Sequence, residues 1–239
     1  MRALVLNGSS RGRKGLTWKL LTQFIDGLRE GGAEVNEYDL KDLTLSHCTG
    51  CLSCMHKTPG VCIVKDDMDK LYGEMKTSDL LVIGTPVYTD NESGLMKTVI
   101  DRSMCCMEPY YRVDPDGRVR HSYVWRMPAR FFLISTCGFP EAETFSPIIA
   151  TYKAQAATFG SEAGGEICIP GSVALQTAPE SLDAPMALVR KAGTQLAAKG
   201  SVERELLEEI NTPPFTPDQY LSIVAKYEDW CRKHRPPNP

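Results

Sequence analysis

Apolar residues fall along this chain in two rhythms. Short uninterrupted runs, Ala3 to Leu6, Leu80 to Ile83 and Arg130 to Thr136, alternate with segments whose apolar positions recur every three or four residues. An uninterrupted apolar run is a strand buried on both faces, whereas the three-to-four spacing is one face of a helix. Residues 17–30 carry Leu20, Leu21, Phe24, Ile25 and Leu28 on one face and stop at Gly31-Gly32. A second strand is expected over about 34–40. Asp66 and Asp67 are placed to cap a helix bearing Met68, Leu71, Tyr72 and Met75. Leu95, Met96, Val99 and Ile100 mark the next helix, and Phe145, Ile148, Ile149, Tyr152 and Phe159 another. Ile167 to Ile169 is a short fifth strand, followed by a helix over about 181–198. Unalternating strands separated by helices predict an α/β fold. Its core is a doubly wound, five-stranded parallel sheet in the order 2-1-3-4-5, covered on both faces.

Two segments stand outside that alternation. Residues 108–128 are an insertion around the turn signal Asp114-Pro115-Asp116-Gly117, flanked by Tyr110, Tyr111, Tyr123 and Trp125. Near the C-terminus, Thr216, Pro217 and Gln219 make a capping box for a helix bearing Tyr220, Leu221, Val224, Tyr227 and Trp230. The expected organisation is one domain over 1–200, with a cysteine-rich loop at 47–63, and a helical extension over 201–239. Aromatics in segments that a five-stranded core does not need point to a homodimer or homotetramer.

Composition narrows the function. Of 239 residues, 42% are hydrophobic and 24% charged, which is a globular balance. The 27 basic against 30 acidic residues leave a net charge of −3, with no basic excess to drive nucleic-acid binding. No apolar run approaches the ~18–20 residues that span a bilayer, and the N-terminal run is too short for a secretory signal. The expectation is a cytoplasmic protein without membrane or nucleic-acid partners.

The first strand runs into Gly8-Ser9-Ser10-Arg11-Gly12-Arg13-Lys14-Gly15-Leu16-Thr17 and then directly into a helix. Hydroxyls, backbone N–H groups and a helix N-terminus together make an anion site, to which Arg11 adds a charge-assisted donor. The pattern is neither a dinucleotide turn nor a nucleotide P-loop, and it suits one terminal phosphate. A second motif is Gly84-Thr85-Pro86-Val87-Tyr88, followed by Gly94 to Lys97 and Ile100-Asp101-Arg102.

These two motifs resemble the NADPH-dependent FMN reductase superfamily, whose fold is flavodoxin-like. The resemblance covers about residues 1–170. It departs at Gly15-Leu16-Thr17, where the superfamily commonly has Gly-Asn-Thr. It implies FMN bound by Ser9, Arg11, Leu16 and Thr17 at the phosphate, and by Pro86, Val87, Tyr88, Thr89 and Asn91 beside the ring. Thr136, Cys137 and Gly138, after the fourth strand, border the same edge. NAD(P)H is then a possible electron donor.

Nine cysteines are present, four of them in the run Cys48-x2-Cys51-x2-Cys54-x7-Cys62. Three thiols at two-residue gaps can converge on one face of a tight loop. That compact triplet favours an iron–sulfur cubane over zinc, which more often uses two separated pairs; clusterless redox thiols are the other alternative. The motif is similar to that of the iron–sulfur flavoproteins, a branch of the same superfamily. The similarity implies Cys48, Cys51, Cys54 and Cys62 as ligands of a [4Fe–4S] cluster. Cys105, Cys106, Cys137, Cys168 and Cys231 read as small buried apolar residues.

Three functions follow from this reading. One is an FMN-dependent oxidoreductase that couples FMN to the cluster and exchanges electrons with a redox partner protein or a small-molecule acceptor. The others are a clusterless NAD(P)H-dependent FMN or quinone reductase, and a non-enzymatic flavodoxin-like electron carrier. No side chain stands out as an acid–base catalyst.

Overall fold

A computed structural model describes residues 1–177 and 179–235. Five parallel strands form the central sheet: β1 (Arg2–Asn7), β2 (Glu34–Asp39), β3 (Leu80–Pro86), β6 (Arg130–Thr136) and β7 (Glu162–Ile169). They lie in the order β2-β1-β3-β6-β7. Counted among themselves this is the expected 2-1-3-4-5. The numbering skips because the insertion folds as a separate antiparallel hairpin, β4 (Met107–Val113) with β5 (Val119–Tyr123). Its turn is the Asp114–Gly117 stretch, where the Asp114 carboxylate accepts from the amides of Asp116 and Arg118.

Alternation along each buried strand sorts the core into two layers. Leu4 and Leu6 of β1 pack with helices α3 (Met68–Thr77), α4 (Gly94–Arg102) and α5 (Ser146–Phe159). Ala3 and Val5 face the opposite layer, formed by α1 (Leu16–Glu30), α7 (Asp183–Lys199) and α8 (Arg204–Ile210). Gly84 on β3 is what lets α1 close on the sheet. A Cβ there would lie 2.4 Å from Leu21 Cδ1.

Several local expectations change in detail. At α3, Asp66 rather than Asp67 satisfies the first turn, accepting from the Met68 amide at 3.0 Å; Asp67 instead accepts from Thr44 N at 2.7 Å. Leu206 and Ile210 of α8, at the start of the C-terminal extension, are buried in the α1 layer. The helix α9 (Pro217–His234) does carry the capping box. It is anchored by buried Val224 and by Tyr220, whose hydroxyl donates to Gly138 O at 2.9 Å, while Leu221, Tyr227 and Trp230 stay exposed. Cys231 lies on this helix and is only partly buried, unlike Cys105, Cys106, Cys137 and Cys168. Two short helices, α2 (Ser53–His56) inside the cysteine loop and α6 (Ser172–Thr177) after β7, carry no strong sequence signal.

Candidate functional site

The strands end in register. Asn7 pairs Gly84, Pro86 pairs Thr136, and Thr136 pairs Ile169, so four chain exits meet at one carboxyl edge beside the point where strand order reverses. Cross-links hold that edge. The Gly8 amide donates to Gly84 O at 2.7 Å, Ser93 Oγ to Gly8 O at 2.6 Å, and the Thr17 and Thr136 hydroxyls share a bond of 2.9 Å. Asn7 Oδ1 accepts from the Ser9 amide, and Asn7 Nδ2 donates to buried Asp39, which also accepts from Arg13 Nε at 2.9 Å. The end of β2 thereby fixes the loop after β1.

Between these exits lies a cavity of about 350 Å³. Its walls are the loop from Ser9 to Thr17, the β3 exit Pro86-Val87-Tyr88, the β6 exit Thr136-Cys137-Gly138, and α6. Ten of the twelve expected cofactor residues line it: Ser9, Arg11, Leu16, Thr17, Pro86, Val87, Tyr88, Thr136, Cys137 and Gly138. Thr89 and Asn91 do not. Thr89 and Asp90 take left-handed backbone angles in a tight turn that pairs Tyr88 with Asn91. That turn sends the Asn91 amide to Thr151 Oγ1 and leaves Tyr88 half exposed at the rim. Sequence reasoning missed Ser172, Val173 and Gln176 of α6, and Gln176 Oε1 accepts from Arg11 across the cavity at 2.7 Å. Only the Pro170-Gly171-Ser172 turn after β7 hints at them.

The cavity fits FMN on its own features. Gly15 is the N-cap of α1, no side chain among the described residues caps it, and the first turn of that helix is turned to the cavity through Leu16 and Thr17. An uncapped helix N-terminus flanked by Ser9, Thr17 and Arg11 has donors to spare for a phosphate dianion. The volume is that of a small-cofactor site. Cys137 lines the cavity, but burial pushes its thiol up to about 11, so it is neutral there.

The cysteine loop builds a second hollow, of about 50 Å³, on the same edge. Cys48, Cys51, Cys54 and Cys62 all line it, with Cys105 as a fifth thiol that sequence spacing did not single out. Left-handed residues Gly50, Leu52 and Gly60 supply the bends. Hydrogen bonds from the Ser53 backbone and hydroxyl pull the exposed Cys51 thiol below its ordinary value, whereas burial and the neighbouring Cys62 charge push Cys54 up. Burial likewise raises Cys105 to about 12. Among the described residues, no three Cys, His, Asp or Glu side chains are gathered closely enough to hold a metal ion. The donor set nevertheless suits a sulfur-rich anionic group: the hollow is mainly apolar and is also lined by buried Arg102, whose Nε has no partner among the described residues.

A buried ion pair closes the loop. Arg102, the last residue of α4, and Asp66 are 2% and 4% exposed. Arg102 also donates to Ser46 O and Val64 O, while Asp66 accepts from the Ser46 amide. Both ends of the loop thus hang on one bidentate pair. Burial alone would raise the Asp66 carboxyl, but Arg102 and the Ser46 and Met68 amides overcome this and hold it at about 2. The exposed His47 is bonded through Nδ1 to Thr98 Oγ1. Residue for residue, α4 connects the two sites. Its N-cap Ser93 is bonded to the phosphate loop and its end, Arg102, lines the cysteine hollow. Nine residues of helix span about 13 Å.

Comparison with known proteins agrees with this edge. Residues 1–121 match the family described as NADPH-dependent FMN reductase. An iron–sulfur flavoprotein of Archaeoglobus fulgidus is 36% identical over 113 residues, which is 47% of this chain and 54% of that one. One from Methanocaldococcus jannaschii is 41% identical over 75 residues, 31% and 37% of the two chains. The chain spans about half the length of the first of these relatives. Among solved structures, an FMN-dependent NADH-azoreductase from Bacillus anthracis aligns with TM-score 0.57 at 16% identity, covering 82% of this chain and all of that one. The NAD(P)H:quinone oxidoreductase of Methanothermobacter marburgensis aligns with TM-score 0.59 at 14% identity, over 84% and 99%. At such identities these two structures speak for the flavodoxin-like fold alone. Among the described residues no helix is long and apolar enough to cross a membrane. The match over half the chain, which takes in the Ser9–Thr17 loop and the β3 exit that line the cavity, means that the chain belongs to the NADPH-dependent FMN reductase family.

Proposed function

We propose that this chain is an FMN-dependent oxidoreductase in which FMN works with a [4Fe–4S] cluster carried by Cys48, Cys51, Cys54 and Cys62. The observation that carries the reading is the shared edge: a phosphate-type cavity and a four-thiol hollow at the two ends of α4. FMN exchanges one or two electrons and such a cluster one, so the pair would link a two-electron partner to a one-electron partner. The protein's part is placement. The Ser9–Thr17 loop and Arg11 bind the phosphate, Pro86 to Tyr88 and Thr136 to Gly138 bracket the ring, and the Arg102–Asp66 pair fixes the cysteine loop. The relatives named iron–sulfur flavoproteins support the cluster. NAD(P)H as donor, a redox protein or quinone as acceptor, a homodimer or homotetramer and a cytoplasmic site of action belong to the same proposal.

Iron, sulfide and flavin analysis of anaerobically prepared protein tests it. About four irons and one FMN per chain are expected, and FAD or no flavin would overturn the cofactor assignment. A clusterless NAD(P)H-dependent quinone reductase is the second reading, favoured by the separation of the four thiols. Iron-free protein from iron-replete anaerobic cells that still turns over quinone would select it. Negligible turnover alone would select the flavodoxin-like carrier.

A further inference from the structure

Four of the five N–H groups of the Arg102 guanidinium are accounted for. Nη1 donates to Ser46 O at 2.8 Å and to Asp66 Oδ2 at 2.9 Å; Nη2 donates to Val64 O at 3.3 Å and to Asp66 Oδ1 at 3.2 Å. The fifth, on Nε, is buried with no acceptor among the described residues. Leaving a charged donor buried and unpaired is costly, and of the three guanidinium Nε atoms so left among the described residues, on Arg2, Arg102 and Arg120, only that of Arg102 belongs to a side chain lining the cysteine hollow. Arg102 lines the cysteine hollow and Asp66 does not, so the cationic member of the pair is the one at the thiols. Leu52, Ile63, Val64 and Met104 line the same hollow, as does Asp101, whose carboxylate is paired with Lys97. In such surroundings a fixed charge acts at far greater strength than in water. Cys62 and Arg102 line the same hollow, which puts the two groups within electrostatic reach.

We infer that Arg102 is a positioning residue that tunes the redox centre of the cysteine loop. Its Nε–H donates to a sulfur of that centre, and its charge favours the state holding one more electron. The inference rests on the cluster reading above. A cluster held by four thiolates is a net anion, and taking one electron from a flavin or a partner protein makes it more negative without transfer of any atom. A nearby immobile cation and an N–H···S bond both favour the reduced form and raise the potential. Because Asp66 locks the guanidinium from the far side, the donor cannot turn to follow solvent.

The test uses the anaerobically prepared holoprotein. In iron-loaded Arg102→Gln the reduced-to-oxidised ratio at a fixed potential falls about tenfold, a midpoint shift of about −59 mV by EPR-monitored titration. Arg102→Lys, which keeps the charge and loses Nε, recovers part of the shift. In the wild-type protein labelled with 15N-arginine, pulsed EPR of the reduced centre shows coupling to one arginine nitrogen, absent in Arg102→Lys. An unshifted potential in a loaded variant, or no 15N coupling in the wild type, overturns the assignment. If neither variant retains iron, the wild-type measurement decides alone. Wild-type protein with four irons and no coupling refutes only the role of Arg102; wild-type protein with no cluster signal refutes the cluster reading and this inference together.

Discussion

Replacing Asp66 with Asn should loosen the cysteine loop while leaving the sheet intact. The carboxylate makes four short bonds: to Arg102 Nη1 and Nη2 at 2.9 and 3.2 Å, and from the Ser46 and Met68 amides at 2.8 and 3.0 Å. Asn preserves the shape but removes the charge, so a guanidinium that is 2% exposed loses its counter-ion. Breaking a buried pair from one side typically costs about 3–5 kcal/mol, because the remaining charge stays buried. The loop can open without dismantling the core, so the loss should appear first as local unfolding. Hydrogen exchange at Ser46 and Met68 should quicken by at least tenfold, with FMN affinity near that of the wild type. The same carboxylate sets a pH dependence. Its folded value, about 2, lies below the ordinary 3.8, so its stabilisation is complete above about pH 4 and is lost as pH falls through about 2. Two pH units correspond to about 2–3 kcal/mol. Wild-type protection at Ser46 and Met68, taken relative to an unstructured amide at the same pH, should therefore fall in acid, and that loss should be absent in Asp66→Asn. Identical exchange in the two proteins at pH 7 would refute the clamp.

Arg11→Ala should weaken FMN by about tenfold, the lower end for a charge-assisted bond, because Arg11 is exposed and already shared with Gln176; unchanged affinity in a flavin-fluorescence titration removes Arg11 from the phosphate site. Cys54→Ala should abolish bound iron yet keep FMN at close to one per chain, since Cys54 lines the cysteine hollow and not the larger cavity; joint loss of both cofactors would contradict two separable sites. Removing residues 212–239 should convert a dimer or tetramer to monomers in light scattering, because Leu221, Tyr227 and Trp230 leave α9 with an exposed apolar face. A full-length protein that is already monomeric at micromolar concentration would sink that assembly.

Local rules made much of this protein legible from its sequence. Burial on both faces writes an uninterrupted apolar run, and so β6 was expected over the residues it occupies, Arg130–Thr136. The capping box at Thr216 and Gln219 depends on a three-residue spacing and forms as expected. The phosphate loop and the four cysteines are contiguous segments, so their chemistry is written in adjacent residues. Tertiary structure decided what distant segments do to one another. Gln176 reaches Arg11 across 165 positions because α6 crosses the sheet edge, which no periodicity reports. The Tyr88–Asn91 turn removed Thr89 and Asn91 from the cavity by two left-handed residues that the flanking pattern does not demand. Cys105 joined the thiol loop from the far end of α4, and Arg102 found Asp66 over 36 positions. A pattern of burial fixes which face of an element turns inward. Which side chain it meets there depends on register and packing across the whole sheet, and those are set only when the chain closes on itself.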